Sequence, residues 1–272
     1  MAQPLYLPLV LLVAVIGVVV GFVAWLRGDR PGARPLTLFV VAASFWAVAE
    51  GLGVASAGLE SIRFWKQVGF TFSAIIPLAW LVTVLEYTGT DEWLGRRTLV
   101  ALLVEPVVFV TLVWSNASHG LVWTNGHREF VGSYSTFGMD FGLAFWGHQV
   151  YSYLLVTVGA LLLLRVIFRS DTLYRRQSTA LLAAGAFPLV GNALYAFGLF
   201  PGSLDPTAIM YVLSGVVLAV AIFRSQLLSI APVIRELGRE EFLSELDDPV
   251  FIVDRDDRLV DTNPAGRRLV GE

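Results

Sequence analysis

Apolar residues run almost unbroken as far as Leu228, interrupted by short polar intervals, before the chain turns acidic and mixed. Seven apolar runs stand near the ~20 residues that cross a hydrocarbon layer as a helix. They are Tyr6–Leu26, Leu36–Ser56, Val68–Tyr87, Thr98–Trp114, Leu143–Phe168, Thr179–Phe200 and Ala208–Leu228. Lipid offers no partner to open backbone groups, so helices are the expected state. The fourth run is the shortest and holds Glu105. Without it, everything downstream would change sides.

The basic residues argue for keeping it. Arg27, Arg30 and Arg34, then Arg96 and Arg97, then Arg169, Arg175 and Arg176, then Arg224 and the tail fall in alternate intervals. The opposite intervals hold only Arg63, Lys66 and Arg128. This positive-inside bias places the N-terminus outside and the C-terminus in the cytoplasm. The expected fold is an all-α, seven-transmembrane helix bundle in the plasma membrane, with the lipid bilayer as its surroundings.

Two outer intervals, Ala57–Gln67 and Pro201–Thr207, are short, and the third, Ser115–Gly142, is long and aromatic. In it Asn125-Gly126 gives a type I′ turn signal between LVWT and REFVGSY, predicting an outer β-hairpin lid. Asn116-Ala117-Ser118 matches a glycosylation acceptor, a motif short enough to arise mostly by chance. Pro77 and Pro188 interrupt the third and sixth runs at positions that do not correspond, which argues against a transporter built from repeats.

A mean hydropathy of +0.69 and 56% hydrophobic residues exclude an ordinary soluble domain. The net charge of −3 leaves no basic surface for nucleic acid. The absence of cysteine removes disulfides and thiolate metal sites. MAQPLYLP carries no Lys or Arg before the first run, and that run is too long for a signal-peptide core, so it reads as a retained helix.

Ionisable groups inside spans are costly and so are candidates for function. At ~1.5 Å per residue, Glu50 lies roughly 9 Å from the outer end of its run, Glu105 roughly 14 Å, His148 roughly 8 Å and Asn192 roughly 12 Å. Trp146, Tyr151, Tyr195 and Tyr211 fall in the same outer layer. These eight residues form a candidate ligand-binding layer beneath the hairpin. Each also has a structural reading. Asn192 can bond a neighbouring helix. Glu50 can pair with His148 or Arg63, and Glu105 can serve the kink at Pro106. Glu86, at the inner end, can face water or Arg96–Arg97, and the aromatics can be an interface belt. Only the shared depth favours a site.

A retinal receptor would need a lysine in the last run, which has none; the single lysine, Lys66, falls in an outer interval. His119 and His127 are too few and too far apart to suggest a metal site. No cofactor is expected.

After the last run, Leu227, Ile230, Ile234 and Leu237 start a heptad seam, and Pro232 should break the helix near Ile230–Pro232. Arg224, Ile230, Pro232, Ile234 and Leu237 are the candidate signal relay. Beyond them PVFIVD reads as a strand, RDDR as a turn, LVDTN as a strand and AGRRLVG as a helix start. Val250–Asp254, Leu259–Asn263 and Pro264-Ala265 resemble the opening of a PAS domain. A lone hairpin is not stable by itself, so the chain is expected to be a fragment ending about a third of the way through an α/β PAS domain.

The bundle in turn resembles the seven-helix N-terminal sensor region of histidine kinases of archaeal type. The resemblance is carried by GFTFSAIIPLAWLVTVLEYTG, VEPVVFVTLVWSNASHGLVW, GLAFWGHQVYSYLL and FRSQLLSIAPV, in that order. It implies a receptor module, working as a homodimer, that reads an unknown small-molecule or ion stimulus and controls a downstream kinase and response regulator. The expected domains are 1–228 (sensor), 229–246 (helical linker) and 247–272 (PAS start). All three histidines lie in the outer half, so no phosphotransfer is expected from this chain itself. The rivals are a transporter or proton-coupled channel with Glu50, Glu105 and His148 as a relay, and a passive anchor for a PAS sensor.

Overall fold

The computed structural model describes residues 3–131, 134–169, 172–199, 205–224, 246, 248–249, 251–253, 259–262 and 264–270. The chain divides into two units, Met1–Ser229 and Ile230–Glu272.

In the first unit, α1 (Gln3–Trp25) and α2 (Ala33–Ala55) are followed by α3 (Leu59–Ser73) and α4 (Ile76–Thr88). A short 3₁₀ turn at Asp91–Trp93 leads to α5 (Arg96–His119), then the strands β1 (Trp123–Val131) and β2 (Tyr134–Phe141). α6 (Leu143–Arg169), α7 (Thr172–Ala196) and α8 (Thr207–Arg224) complete it. Among the described residues, five helical segments are long and apolar enough to cross a membrane: α2, α3 with α4, α5, α6 and α7. Ala14–Trp25 and Ile209–Ile222 are shorter apolar stretches.

The third run differs from expectation. Its helix begins at Leu59, so the interval 57–67 is mostly helical rather than a loop. The run is also two helices, separated at Ala74–Ile75. Pro77 sits in the first turn of α4, where its missing N–H would have had no partner anyway. The proline therefore starts a helix instead of kinking one.

The hairpin is present, but its turn is elsewhere. β1 runs through Asn125-Gly126, and the strands pair from Trp123↔Phe141 to Val131↔Tyr134. Asn125 has φ 52°, and the register shifts between Thr124 and His127. The Asn-Gly signal thus marks a bulge within a strand, another place where a left-handed residue fits. β2 lies against α2 and α3. Ser135 Oγ donates to the Ser56 carbonyl at 3.3 Å, fixing the hairpin to the end of α2.

The glycosylation motif has a structural role instead. Asn116 is buried in the last turn of α5, where Oδ1 accepts from the N–H groups of Val122 (2.9 Å) and Trp123 (3.3 Å). Nδ2 donates to the Trp123 carbonyl at 2.8 Å. The side chain latches the helix to the hairpin, and its burial leaves the amide inaccessible to a sugar.

Helices α1, α2, α4, α6, α7 and α8 close a ring, each packing on the next, with α8 returning to α1. α5 packs outside this ring against α3 and α6. Trp80 of α4 is wholly buried at the centre. A Cβ at Gly159 of α6 would come within 2.3 Å of its ring, and one at Gly185 of α7 within 2.6 Å. Two glycines on facing helices therefore make the slot in which this indole sits. A second aromatic cluster joins Phe70 to Phe109, Trp123 and Phe145 at centroid distances of 5.8–6.1 Å, under the hairpin.

In the second unit, β3 (Phe251–Val253) pairs antiparallel with β4 (Leu259–Thr262), and α9 (Pro264–Val270) follows. This is the strand, strand, helix order read from PVFIVD, LVDTN and AGRRLVG. Arg224 closes α8, whereas Ile230, Pro232, Ile234 and Leu237 lie outside the described residues.

Candidate functional site

A cavity of about 100 Å³ lies inside the ring. Its walls come from α2 (Phe39, Trp46, Glu50), α3 and α4 (Lys66, Phe70, Trp80), α6 (Phe145, His148, Gln149, Ser152, Tyr153, Val156), α7 (Gly185, Asn192, Tyr195) and the entry to α8 (Asp205, Thr207, Tyr211).

Lys66 supplies its cation. Because α3 begins at Leu59, Lys66 lies about two turns inside the helix, not in an outer loop. Its Nζ donates to Glu50 Oε1 at 2.9 Å, with the side chains only 6% and 8% exposed. The ammonium also stands 5.1 Å from the Tyr195 ring centroid and 5.6 Å from that of Phe70. Thr136 and Phe137 of β2 border a smaller cavity with Glu50 and Lys66, so the hairpin covers the pair. Neither expected partner of Glu50 is used. Arg63 pairs with Glu60, and His148 Nδ1 lies 2.9 Å from Glu105 Oε1.

Asp205 is the second acid. It is buried just before α8, and its Oδ1 accepts the Thr207 N–H at 2.9 Å, satisfying a first-turn donor. Burial pushes the carboxyl up to about 6, although the Lys66 charge and the hydrogen bond from the Thr207 N–H pull it down. The cavity thus holds two carboxylates, Glu50 and Asp205, against the single charge of Lys66.

His148 stacks on Phe109 at 4.0 Å and 9°, and its Nε2 is 3.4 Å from Ser152 Oγ. Among the described residues no hydrogen bond joins the His148–Glu105 pair to the Glu50–Lys66 pair, so the three-residue relay separates into two pairs. Asn192 Oδ1 accepts from Gln149 and from Tyr153 (2.9 Å), bridging α7 to α6. Glu86 Oε2 accepts the N–H of Gly32 at 2.9 Å, so it ties α4 to the α1–α2 turn rather than serving Arg96–Arg97. Among the described residues, the buried Trp80 Nε1 and Thr207 Oγ1 have no hydrogen-bond partner.

Of the eight residues of the expected layer, Glu50, His148, Asn192, Tyr195 and Tyr211 line the cavity. Glu105 reaches it only through His148. Trp146 packs on Phe141, Phe145 and Phe197, and Tyr151 donates to the Leu102 carbonyl at 2.7 Å; neither is in the wall. No group of three or more His, Asp or Glu able to hold a metal occurs among the described residues.

A family model described as the N-terminal 7TM region of histidine kinase matches residues 9–232, the helical unit almost end to end. The chain belongs to this family. No curated protein matches it. As a histidine-kinase 7TM region, the chain is a multi-pass membrane protein and a membrane sensory module. The matched span takes in every residue of the cavity. Sequence reasoning on this 7TM region overlooked Lys66, Asp205, Gln149, Tyr153 and Trp80. Lys66 had a signal, as the single lysine of the chain, and Asp205 had one as an acid beside the start of an apolar run. Trp80 had none.

Proposed function

We propose that this 7TM region is the stimulus-reading part of a homodimeric receptor. Its seven helices cross the plasma membrane with the N-terminus outside, and occupancy of the cavity sets the packing of α8. That change passes through residues 225–246 to a PAS domain beginning at the second unit, and from there to a histidine kinase and its response regulator. Arginines in alternate intervals support the orientation, and the strand, strand, helix order of residues 251–270 supports the PAS reading.

The observation that carries the proposal is the position of α8. Its entry, from Asp205 to Tyr211, walls the cavity, and its far end leads to the second unit. A ligand touching Asp205, Thr207 or Tyr211 touches the helix that leaves the bundle. To act as a switch, the stimulus must bind two packings unequally by a few kcal/mol.

The test uses the full-length receptor in vesicles, with kinase autophosphorylation as the readout. Replacing residues 1–224 with an unrelated dimeric anchor should abolish regulation, and Glu50→Gln or His148→Ala should shift it. Regulation that survives the replacement would refute the proposal in favour of a passive anchor.

A further inference from the structure

The cavity is a slot with two unlike ends. Along α7 it extends from Tyr195 to Gly185, along α2 from Glu50 to Phe39, and along α6 from Phe145 to Val156. Each interval is about 15 Å at a rise of 1.5 Å per residue. One end gathers Glu50, Lys66, Asp205 and Thr207. The other is formed by Phe39, Val156, Gly185 and Trp80 and is apolar apart from the indole N–H.

Charge decides what the polar end takes. The ion pair cancels Lys66 against Glu50 and leaves the Asp205 carboxylate in surplus. An anionic head would add a second uncompensated charge to a buried site, at large cost. A neutral head would leave the surplus as it stands. A cationic head neutralises it. The Thr207 hydroxyl, on the residue whose N–H already donates to Asp205, has lone pairs that can accept from an ammonium N–H. Tyr211 and Trp46, which pack on one another with centroids 5.4 Å apart, add aromatic surface to the cavity wall, and an ammonium is attracted to such surface. The site already keeps one ammonium in such surroundings, that of Lys66 between Glu50 and the rings of Tyr195 and Phe70.

We infer that the cavity binds a small amphiphilic amine, its ammonium beside Asp205 and Thr207 and its narrow apolar tail directed toward Val156 and Trp80. The inference rests on the reading of this cavity as the stimulus site and names its ligand class.

The test measures thermal stabilisation of the chain in lipid nanodiscs by n-butyl-, n-hexyl- and n-octylammonium, with n-octanoate and n-octanol as matched anionic and neutral probes. Cationic amphiphiles also partition into lipid, so the readout is the difference between wild type and Asp205→Asn. Octylammonium should stabilise wild type saturably, with at least tenfold lower apparent affinity for Asp205→Asn, while octanoate and octanol do neither. Val156→Phe, which narrows the apolar end, should keep the preference for ammonium but shift it from octyl toward butyl. Equal binding of octanoate or octanol, or equal ammonium binding by wild type and Asp205→Asn, overturns the inference. Ammonium binding without any change in kinase output supports the ligand class and refutes the sensory reading. Altered output in Asp205→Asn and Val156→Phe without ammonium binding overturns the ligand class and leaves the sensory reading in place.

Discussion

Replacing Lys66 by methionine separates the charge argument from simple packing. The substitution keeps most of the buried stem and removes the one Lys or Arg among the described residues of the cavity wall. Glu50 and Asp205 are then left as neighbouring carboxylates without a counter-charge. Deleting one member of a buried pair costs about 3–5 kcal/mol, because the remaining charge stays desolvated. Glu50→Gln is milder. Lys66 keeps Asp205 close enough to feel its charge, and the amide oxygen can still accept from Nζ. Its cost should be about 1–3 kcal/mol, that of a weakened buried hydrogen bond. In the double variant the stranded carboxylate at position 50 is gone, so the loss should fall short of the sum of the single losses. The assay is reversible unfolding in mixed micelles, followed by circular dichroism, as a double-mutant cycle. The reasoning fails if Lys66→Met is no less stable than Glu50→Gln, or if the singles add to the double within about 0.5 kcal/mol.

Asp205, held near 6, gives a pH signature. Between pH ~4 and ~6 the folded chain keeps a proton that the unfolded chain has lost, so this group's stabilisation, full below pH ~4, should fall as pH rises through about 6. The unfolding free energy of wild type minus that of Asp205→Asn should fall over that window, and a flat or rising difference would refute the assignment. Gly159→Ala should cost about 1–3 kcal/mol, since its Cβ meets Trp80 at 2.3 Å, and Trp80→Leu in the same chain should recover part of it; additive losses would rule out the slot. Asn116→Ala should free the start of the hairpin, at about 2–4 kcal/mol, and limited proteolysis within residues 121–131 should quicken. By the same geometry, mass spectrometry of the intact chain should find no glycan on Asn116.

Much of the helical architecture was legible because hydrophobic runs set helix positions. The first, second, fifth and seventh runs have helices within a few residues of the expected bounds, whereas the sixth starts and ends earlier and the fourth ends later. The third was misread for a physical reason. Leu59–Gln67 carries Glu60, Arg63, Lys66 and Gln67, so its hydropathy is that of a loop although its residues favour a helix. That error hid Lys66, and with it the centre of the site. The Asn-Gly pair was likewise a sound signal for a left-handed residue, but a bulge and a turn need the same backbone. Shared depth did bring Glu50, His148, Asn192, Tyr195 and Tyr211 to one cavity. It could not tell that Trp146 and Tyr151 face away, since depth carries no information on which side of a helix a residue lies.

The closed ring has a consequence for how the protein is made. α1, made before the other helices of the bundle, packs against α8, the last of them, where a Cβ on Gly215 would meet Ile16 at 2.8 Å. The seam cannot close until Thr207–Arg224 has been synthesised and inserted. Every nascent intermediate before that point carries an α1 flank without its final neighbour and a cavity without its last wall. A chain interrupted before α8 therefore presents membrane quality control with an open seam, whereas a complete one hides it. Two halves expressed together, one ending before α6 and one starting with it, have the interfaces needed to reassemble.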